Sequence, residues 1–298
     1  MKKEKEEADL TAHTDTQNAK CSMGFLEKGE NMRYIASCSF GKDSLAMLLL
    51  LIEKEYPLDE VIFHDSGCEF QAVYNLIEKI KPLLEAKGIK LTILKMRKSF
   101  EYMCYDHPVP KKKNGEIHKK GYGWCGGNCH WITAYKIRDI QRYMKDYGEH
   151  RQYVGICYDE PERWEKCDRE ERLLPLVDWK MTQQDCLQFC YDRGYSWTED
   201  AGAGEIDLYK DLVDRVSCWC CRNKNYAELK NYYDKAPKYW KALVEMEKRI
   251  GEPMKKRSDG LTRTLEELEI YFKAGVESKR KYDELMRKKN KEQLSFFE

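Results

Sequence analysis

From Met32 onward, short apolar runs alternate with longer segments of helical period, and most of the apolar runs end in a polar or glycine-bearing turn. MRYIASC, DEVIFHDSG, IKLTILKM and QYVGICYDE have the length and the aromatic or β-branched content of strands. DSLAMLLLLIEK, QAVYNLIEKIKPLLEAKG (closed by Gly88) and TAYKIRDIQRYMKDYG read as helices. A further helix is opened by Thr182 with Asp185 three residues on, close to a capping box. Few folds accept this order. Parallel strands need crossover connections, and the crossover helices cover both sheet faces. The expected fold class is α/β, a parallel five-stranded sheet with helices on both faces plus a small helical Cys-rich C-terminal region. Ligands in such sheets bind beyond the carboxyl ends of the strands.

The chain divides on composition into four parts. Residues 1–30 are a charged N-terminal arm. Residues 31–200 form the α/β domain, with a Cys-bearing hairpin insertion at 101–131 signalled by Asn114-Gly115. Residues 201–260 form a Cys-rich helical region, in which AGAGE reads as a loop and a helical pair breaks before Pro237. Residues 261–298 form a charged helical tail.

Composition narrows the function. Charged residues are 35% of the chain, yet the net charge is +1. A protein that coats nucleic acid by charge alone is not expected from that balance. No run of eighteen apolar residues occurs, so no membrane span is expected. The first residues lack the apolar stretch of a secretion signal, and a cytoplasmic location is expected. Thirteen cysteines in a reducing compartment are core residues or metal ligands rather than a disulfide framework.

The stretch SCSFGKDS joins the first strand to the first long helix. A polar, glycine-bearing turn at a helix start offers backbone N–H groups and the positive end of the helix dipole to a phosphate. Lys42 adds charge, Ser37, Ser39 and Ser44 add hydroxyls, and Asp43 holds Mg²⁺ or fixes the turn. The spacing is not G-x-x-x-x-G-K-S/T, the common NTPase loop.

SCSFGKDS resembles the SGGKDS pyrophosphate loop of the N-type ATP pyrophosphatases, the PP-loop superfamily. HDSGCEF resembles the D-T-G-x-E-F segment of the phosphoadenosine phosphosulfate (PAPS) reductase family, and VGICYDEPERW resembles its G-I-R-x-D-E-x-x-R. LPLVDWKMT and DRVSCWCC resemble later family blocks. The resemblance implies an adenine nucleotide alpha hydrolase-like fold that binds ATP or an adenylyl sulfate with Mg²⁺. It implies nucleotide contacts from Ser37, Ser39, Phe40, Gly41, Lys42, Asp43 and Ser44, from Asp65, Ser66, Gly67 and Glu69, and from Gly155, Glu160 and Arg163. Asp159 falls in the same block. Lys42, Asp43, Asp65 and Arg163 are the expected catalytic residues. Two departures stand out. Phe40 replaces the loop's first glycine, which removes a φ > 0 option and adds bulk. Cys157 replaces an arginine, which removes a phosphate contact.

Cys125 and Cys129 form C-x3-C, and Cys218, Cys220 and Cys221 form C-x-C-C about ninety residues on. Thiolates suit a [4Fe-4S] cluster or structural Zn²⁺. The iron–sulfur adenylyl sulfate reductases are similar in outline. Cys125, Cys129, Cys218 and Cys221 are the expected ligands, with Cys220 a spare thiol and Trp124, Trp131 and Trp219 an apolar shell. Cys186 and Cys190 share a helix face as small core residues. Cys38 and Cys68 flank the expected nucleotide.

Reductases of the family attack sulfur with a cysteine on a C-terminal tail. This chain has no cysteine after Cys221. The expected function is ATP-dependent adenylation coupled to sulfur transfer, as in related tRNA- and DNA-thiolating enzymes. The alternatives are a phosphoadenosine or adenylyl sulfate reductase and, in another class, a metal-stapled nucleic-acid-binding protein with an inactive loop. A sulfur-donor protein is an implied partner. Lys111, Lys112, Lys113, Lys119 and Lys120, with Tyr122 and Trp124 interleaved, either contact a nucleic-acid acceptor or are a solvated loop. QLSFF, Gln293–Phe297, resembles the peptides that tether bacterial DNA enzymes to the sliding clamp.

Overall fold

The computed structural model describes residues 32–125, 129, 131–256, 262–276, 280–281, 284 and 287–288. The N-terminal arm and the Gln293–Phe297 peptide lie outside the described residues.

The chain begins with β1 (Arg33–Ser37), α1 (Lys42–Glu53), β2 (Glu60–Asp65), α2 (Gln71–Ala86) and β3 (Lys90–Lys95). A hairpin of β4 (Pro108–Pro110) and β5 (Ile117–Lys120) follows. Next come α3 (Ile132–Met144), β6 (His150–Val154), α4 (Pro161–Trp164), β7 (Arg172–Leu173), α5 (Pro175–Asp178) and α6 (Gln183–Asp192). The last part holds β8 (Thr198–Asp200), β9 (Glu205–Asp207), α7 (Tyr226–Lys235), α8 (Pro237–Ile250), β10 (Lys255–Lys256), β11 (Thr262–Arg263) and α9 (Leu265–Lys273).

Five strands form one parallel sheet in the order β3-β2-β1-β6-β7. The α/β class and the five-stranded parallel sheet are therefore as the sequence led one to expect. β1 pairs with β2 on one side and β6 on the other, Ser37 standing beside both Ile62 and Val154. The chain order reverses there, which opens a crevice at the carboxyl ends of β1 and β6. The SCSFGKDS turn starts in that crevice.

α1 buries ten of its twelve residues. A helix apolar all round must be covered on every side; α6 packs against it and its other flank joins the main core. Thr182 and Asp185 form a full capping box on α6. The strand expected over QYVGICYDE ends at Val154. Gly155 turns the chain instead, and a Cβ there would stand 3.0 Å from the Ser44 Cα. Ala201 to Gly204 of AGAGE turn between β8 and β9, a short antiparallel pair that the sequence did not mark, and its Glu205 already belongs to β9. β7 adds the fifth strand with only two residues.

Candidate active site

The loop before α1 is held from several directions. The Ser39 N–H donates to the Ser44 Oγ at 3.2 Å, the two hydroxyls stand 3.2 Å apart, and the Ser44 Oγ donates to the Gly41 carbonyl. Gly41 is the N-cap of α1, and no side chain caps the helix from that position. The Lys42 N–H donates instead to the Tyr209 hydroxyl at 2.9 Å.

Phe40 corrects one expectation. Its φ is +56°, so the bulky residue itself adopts the backbone that a glycine was expected to supply. Its side chain is fully buried with its ring edge-on to Phe63, 5.6 Å between centroids, and it adds no bulk to the cleft. The Trp197 indole donates to its carbonyl at 2.7 Å.

Beyond the loop lies a cleft of about 1420 Å³. Ser37, Ser39, Ser44, Ser66 and Glu69 line one part of it. Gly155 and Arg163 line another, joined by Lys136 of α3, Arg215 and Lys224. Cys125, Cys129, Cys218 and Cys221 line the same space. Loop hydroxyls, cations and four thiols thus face one cavity.

Other expected residues sit outside it. Lys42 and Asp43 do not line the cleft. The Lys42 ammonium is buried, donates to the Gln183 Oε1 at 3.1 Å and lies over the Tyr209 ring at 5.3 Å. Burial pushes the Asp43 carboxyl up, against the pull of Lys42. Asp65 lines a second cavity of about 680 Å³, with Lys98, Trp219 and Arg249. Its Oδ1 accepts from the Gly67 N–H at 2.8 Å and the Tyr74 hydroxyl at 2.7 Å. Gly67, at φ +75°, makes that turn possible, and Ser66 lines both cavities. Glu160 accepts from the Cys157 N–H and from Arg163 on the turn itself. Asp159 accepts from the Gln183 N–H at 3.1 Å.

Glu69 is the carboxylate best suited to proton transfer. Burial pushes it up to about 7, and the Ser66 hydroxyl donates to it at 2.9 Å. A group titrating near neutrality can take or give a proton in the cleft. Lys136, Lys224 and Tyr209 belong to no motif, and tertiary folding alone brings them here; Arg215 lies in the DRVSCWCC block, from which no nucleotide contact was expected.

The thiols form a chain as well as a wall. The Cys125 and Cys220 sulfurs lie 3.9 Å apart, and the Trp219 N–H donates to the Cys68 carbonyl at 3.0 Å. The Arg222 N–H donates to the Cys125 carbonyl at 2.8 Å. Hydrogen bonds from Cys218 and Cys220 pull the Cys68 thiol well down, while burial pushes Cys220 up. Cys220, expected as a spare, lies against Cys125 and does not line the cleft. Cys68 joins it there, which its place in the 65–68 turn did not reveal. Trp124, next to Cys125 in the chain, and Trp131, stacked on Phe100, are both buried. Cys125, Cys129, Cys218 and Cys221 line one cleft, though no three of their sulfurs lie within 4.8 Å of one another; as thiols they are the donor type that an iron–sulfur cluster or zinc takes.

Cys157 is fully buried, 3.8 Å from the Cys186 sulfur, and offers the cleft nothing in place of the family's arginine. Cys186 and Cys190 are fully buried on α6. The lysines of the β4–β5 hairpin are exposed. Its aromatics point elsewhere: Tyr122 stacks on His107 and Trp131, and the Trp124 indole donates to the Glu252 carbonyl.

A sequence profile of the phosphoadenosine phosphosulfate reductase domain matches residues 33–196. The chain belongs to the PAPS reductase family. The match covers β1 through α6, so the SCSFGKDS loop, the 65–69 turn and the 155–163 turn all belong to the family domain. An uncharacterized protein of Methanocaldococcus jannaschii is 24% identical over 213 residues, 68% of this chain and 38% of that relative. The chain thus spans well under half of the length of that curated relative. Among solved structures, the U34-tRNA thiolase NcsA from Methanococcus maripaludis, determined with its [4Fe-4S] cluster, is similar over 56% of this chain and 59% of its own. The identity there is 17% and the TM-score 0.37. Among the described residues of this family member, no helix is long and apolar enough to cross a membrane.

Proposed function

We propose that this PAPS reductase-family protein binds ATP in the 1420 Å³ cleft, adenylates an acceptor oxygen and supports its replacement by sulfur. The observation that carries the reading is that the loop serines, the cations Arg163 and Arg215, and Cys125, Cys129, Cys218 and Cys221 share that one cleft.

The phosphates would lie against the Ser39 and Ser44 hydroxyls, with Arg163, Arg215 and Lys136 around them. An acceptor oxygen attacks the α-phosphorus, the bond to the β-phosphate breaks, and pyrophosphate leaves with the electron pair. Arginine guanidinium groups spread the charge that develops on the leaving group. Lys42 acts through position: its ammonium fixes Gln183 and balances Asp43, while its N–H orders the turn. Mg²⁺ carried in on the phosphates would meet Asp214 on the cleft wall rather than Asp43. Glu69 takes the acceptor's proton. Hydrosulfide then attacks the activated carbon, the carbon–oxygen bond breaks, and AMP departs with the electron pair; with a persulfide as donor, a second thiol must afterwards attack the outer donor sulfur, breaking the S–S bond and leaving with it as a disulfide. Cys125, Cys129, Cys218 and Cys221 would hold a [4Fe-4S] cluster, or alternatively zinc; a cluster supplies a sulfur-binding, redox-active centre when bound.

Two measurements test this. Protein purified anaerobically should be brown, with absorbance near roughly 400 nm and bound iron and sulfide. It should release pyrophosphate from ATP, and Arg163→Met or Arg215→Met should slow that release by about 10²-fold or more. Sulfite release from an adenylyl sulfate, with no pyrophosphate from ATP, would make it a reductase instead. Nucleic-acid binding without turnover of either nucleotide would make it a binding protein.

A further inference from the structure

A second group of ligand-type side chains lies outside the cleft. Asp43 stands in the first turn of α1, Cys157 in the turn after β6, and Cys186 on α6. The two sulfurs are 3.8 Å apart, and both lie within 4.8 Å of a carboxylate oxygen of Asp43. Both cysteines are fully buried, while the Asp43 side chain keeps 22% of its surface. Its Oδ1 is buried 3.6 Å from the Lys42 ammonium, and the carboxylate accepts a hydrogen bond from the Cys157 thiol.

We infer that Asp43, Cys157 and Cys186 form a three-ligand site for a thiophilic divalent cation of the Zn²⁺ class, separate from the four cysteines of the cleft. Tetrahedral zinc with sulfur bonds of about 2.3 Å sets two thiolates about 3.8 Å apart. The observed sulfur separation matches that spacing. Two sulfurs select against Mg²⁺ and Ca²⁺, which take oxygen ligands.

The three donors come from three elements, and their spacing is fixed by the fold around them. The Cys157 N–H is held by the Glu160 carboxylate. The Tyr158 N–H donates to the Met181 carbonyl at 2.8 Å, and the Gln183 N–H to Asp159, so the turn carrying Cys157 is tied to the start of α6. Three protein ligands leave a fourth position open, as in zinc sites that take water or substrate. The partly exposed Asp43 gives the route in.

Charge also balances. Binding releases one proton from each thiol to solvent. Two thiolates, one carboxylate and a divalent cation sum to one negative charge, the same as the ionised Asp43 with two neutral thiols. The bound cation replaces Lys42 as the counter-charge of Asp43. The site thereby couples metal occupancy to the residue beside the phosphate loop, and it stands independently of the adenylation reading.

The test is ¹¹³Cd NMR on the full chain loaded with cadmium, with folding checked by circular dichroism. A resonance in the range of mixed sulfur–oxygen coordination is expected, upfield of any thiolate-only signal from the cleft. Cys157→Ser and Cys186→Ala should each abolish it and remove one bound cation per chain. The thiolate-only signal should remain. Should either cysteine variant fail to fold, Asp43→Asn, at the partly exposed corner, should still move the resonance. Cadmium spectra and stoichiometry identical in wild type and all three variants would overturn the proposal, as would a Cys157–Cys186 disulfide in protein purified under reducing conditions. Two buried thiols would then be ordinary core residues.

Discussion

The Trp197 indole N–H donates to the Phe40 carbonyl at 2.7 Å across 157 residues of sequence. Trp197 is fully buried, and the Tyr209 ring meets it edge-on at 4.7 Å. Tyr209 in turn accepts from the Lys42 N–H. Two aromatic residues beyond α6 therefore clamp both sides of Gly41. Trp197→Phe leaves the Phe40 carbonyl buried without its donor, at a cost of about 1–3 kcal/mol. Urea titration should show that loss, and calorimetry should show weakened ATP binding. An unchanged midpoint would mean that the indole only fills space.

Phe40→Gly restores the residue that the family's loop carries and should nonetheless destabilise the protein. Removing a fully buried phenyl ring costs about 3–5 kcal/mol, while relief of the left-handed backbone returns about 1–3 kcal/mol. The net expectation is a loss of about 2 kcal/mol, read from the urea midpoint. A more stable variant would show that the backbone term dominates and that the ring is not needed by the core.

The alternation of strands and helices was legible because buried parallel strands and an all-buried α1 leave continuous apolar runs. The capping box at Thr182 was equally plain, since its two residues are local. What could not be read depends on long-range geometry. Positive φ is rare for a bulky residue, so Phe40 read as a lost option when its ring was core and its backbone already left-handed. β7, with two residues, is too short to leave a period. Lys42 and Asp43 carried the motif's charge, yet α6 and Tyr209 draw Lys42 off the cleft. Lys136 brings charge to the cleft from a segment with no motif, and Arg215 from a block read for its cysteines. The spacing of Cys125, Cys129, Cys218 and Cys221 made them candidate ligands; that Cys220 lies against Cys125, and Cys68 against Cys218 and Cys220, required the fold.

Gly155→Ala tests the contact between the turn after β6 and α1. An added Cβ meets the Ser44 Cα at 3.0 Å and the Ser44 nitrogen at 3.1 Å, both backbone atoms that cannot rotate away. Overpacking of this kind costs about 1–3 kcal/mol. Because the displaced element carries Ser44, ATP affinity should fall by more than tenfold while the circular dichroism spectrum stays native. Retained affinity would place the phosphates away from the start of α1.

Glu69 makes stability and activity depend on pH in a defined direction. Burial raises its carboxyl from 4.5 to about 7. Between those values the folded state binds more protons than the unfolded chain, so this group's contribution is present below 4.5 and is lost as pH rises through 7. The shift is equivalent to about 3 kcal/mol at most. Glu69→Gln keeps an acceptor for the Ser66 hydroxyl and removes the titration. The variant should match wild type near pH 4.5 and exceed its stability by about 1–3 kcal/mol at pH 8, the difference growing across that window. Other groups titrate over the same range, so the quantity to follow is the difference between the two proteins at each pH. If Glu69 also takes the acceptor's proton, the variant gains stability and loses turnover together, and the limb of the wild-type rate profile near pH 7 disappears. A stability difference that is flat with pH would show that the carboxyl is ionised and solvated, and Glu69 would then leave the list of proton carriers.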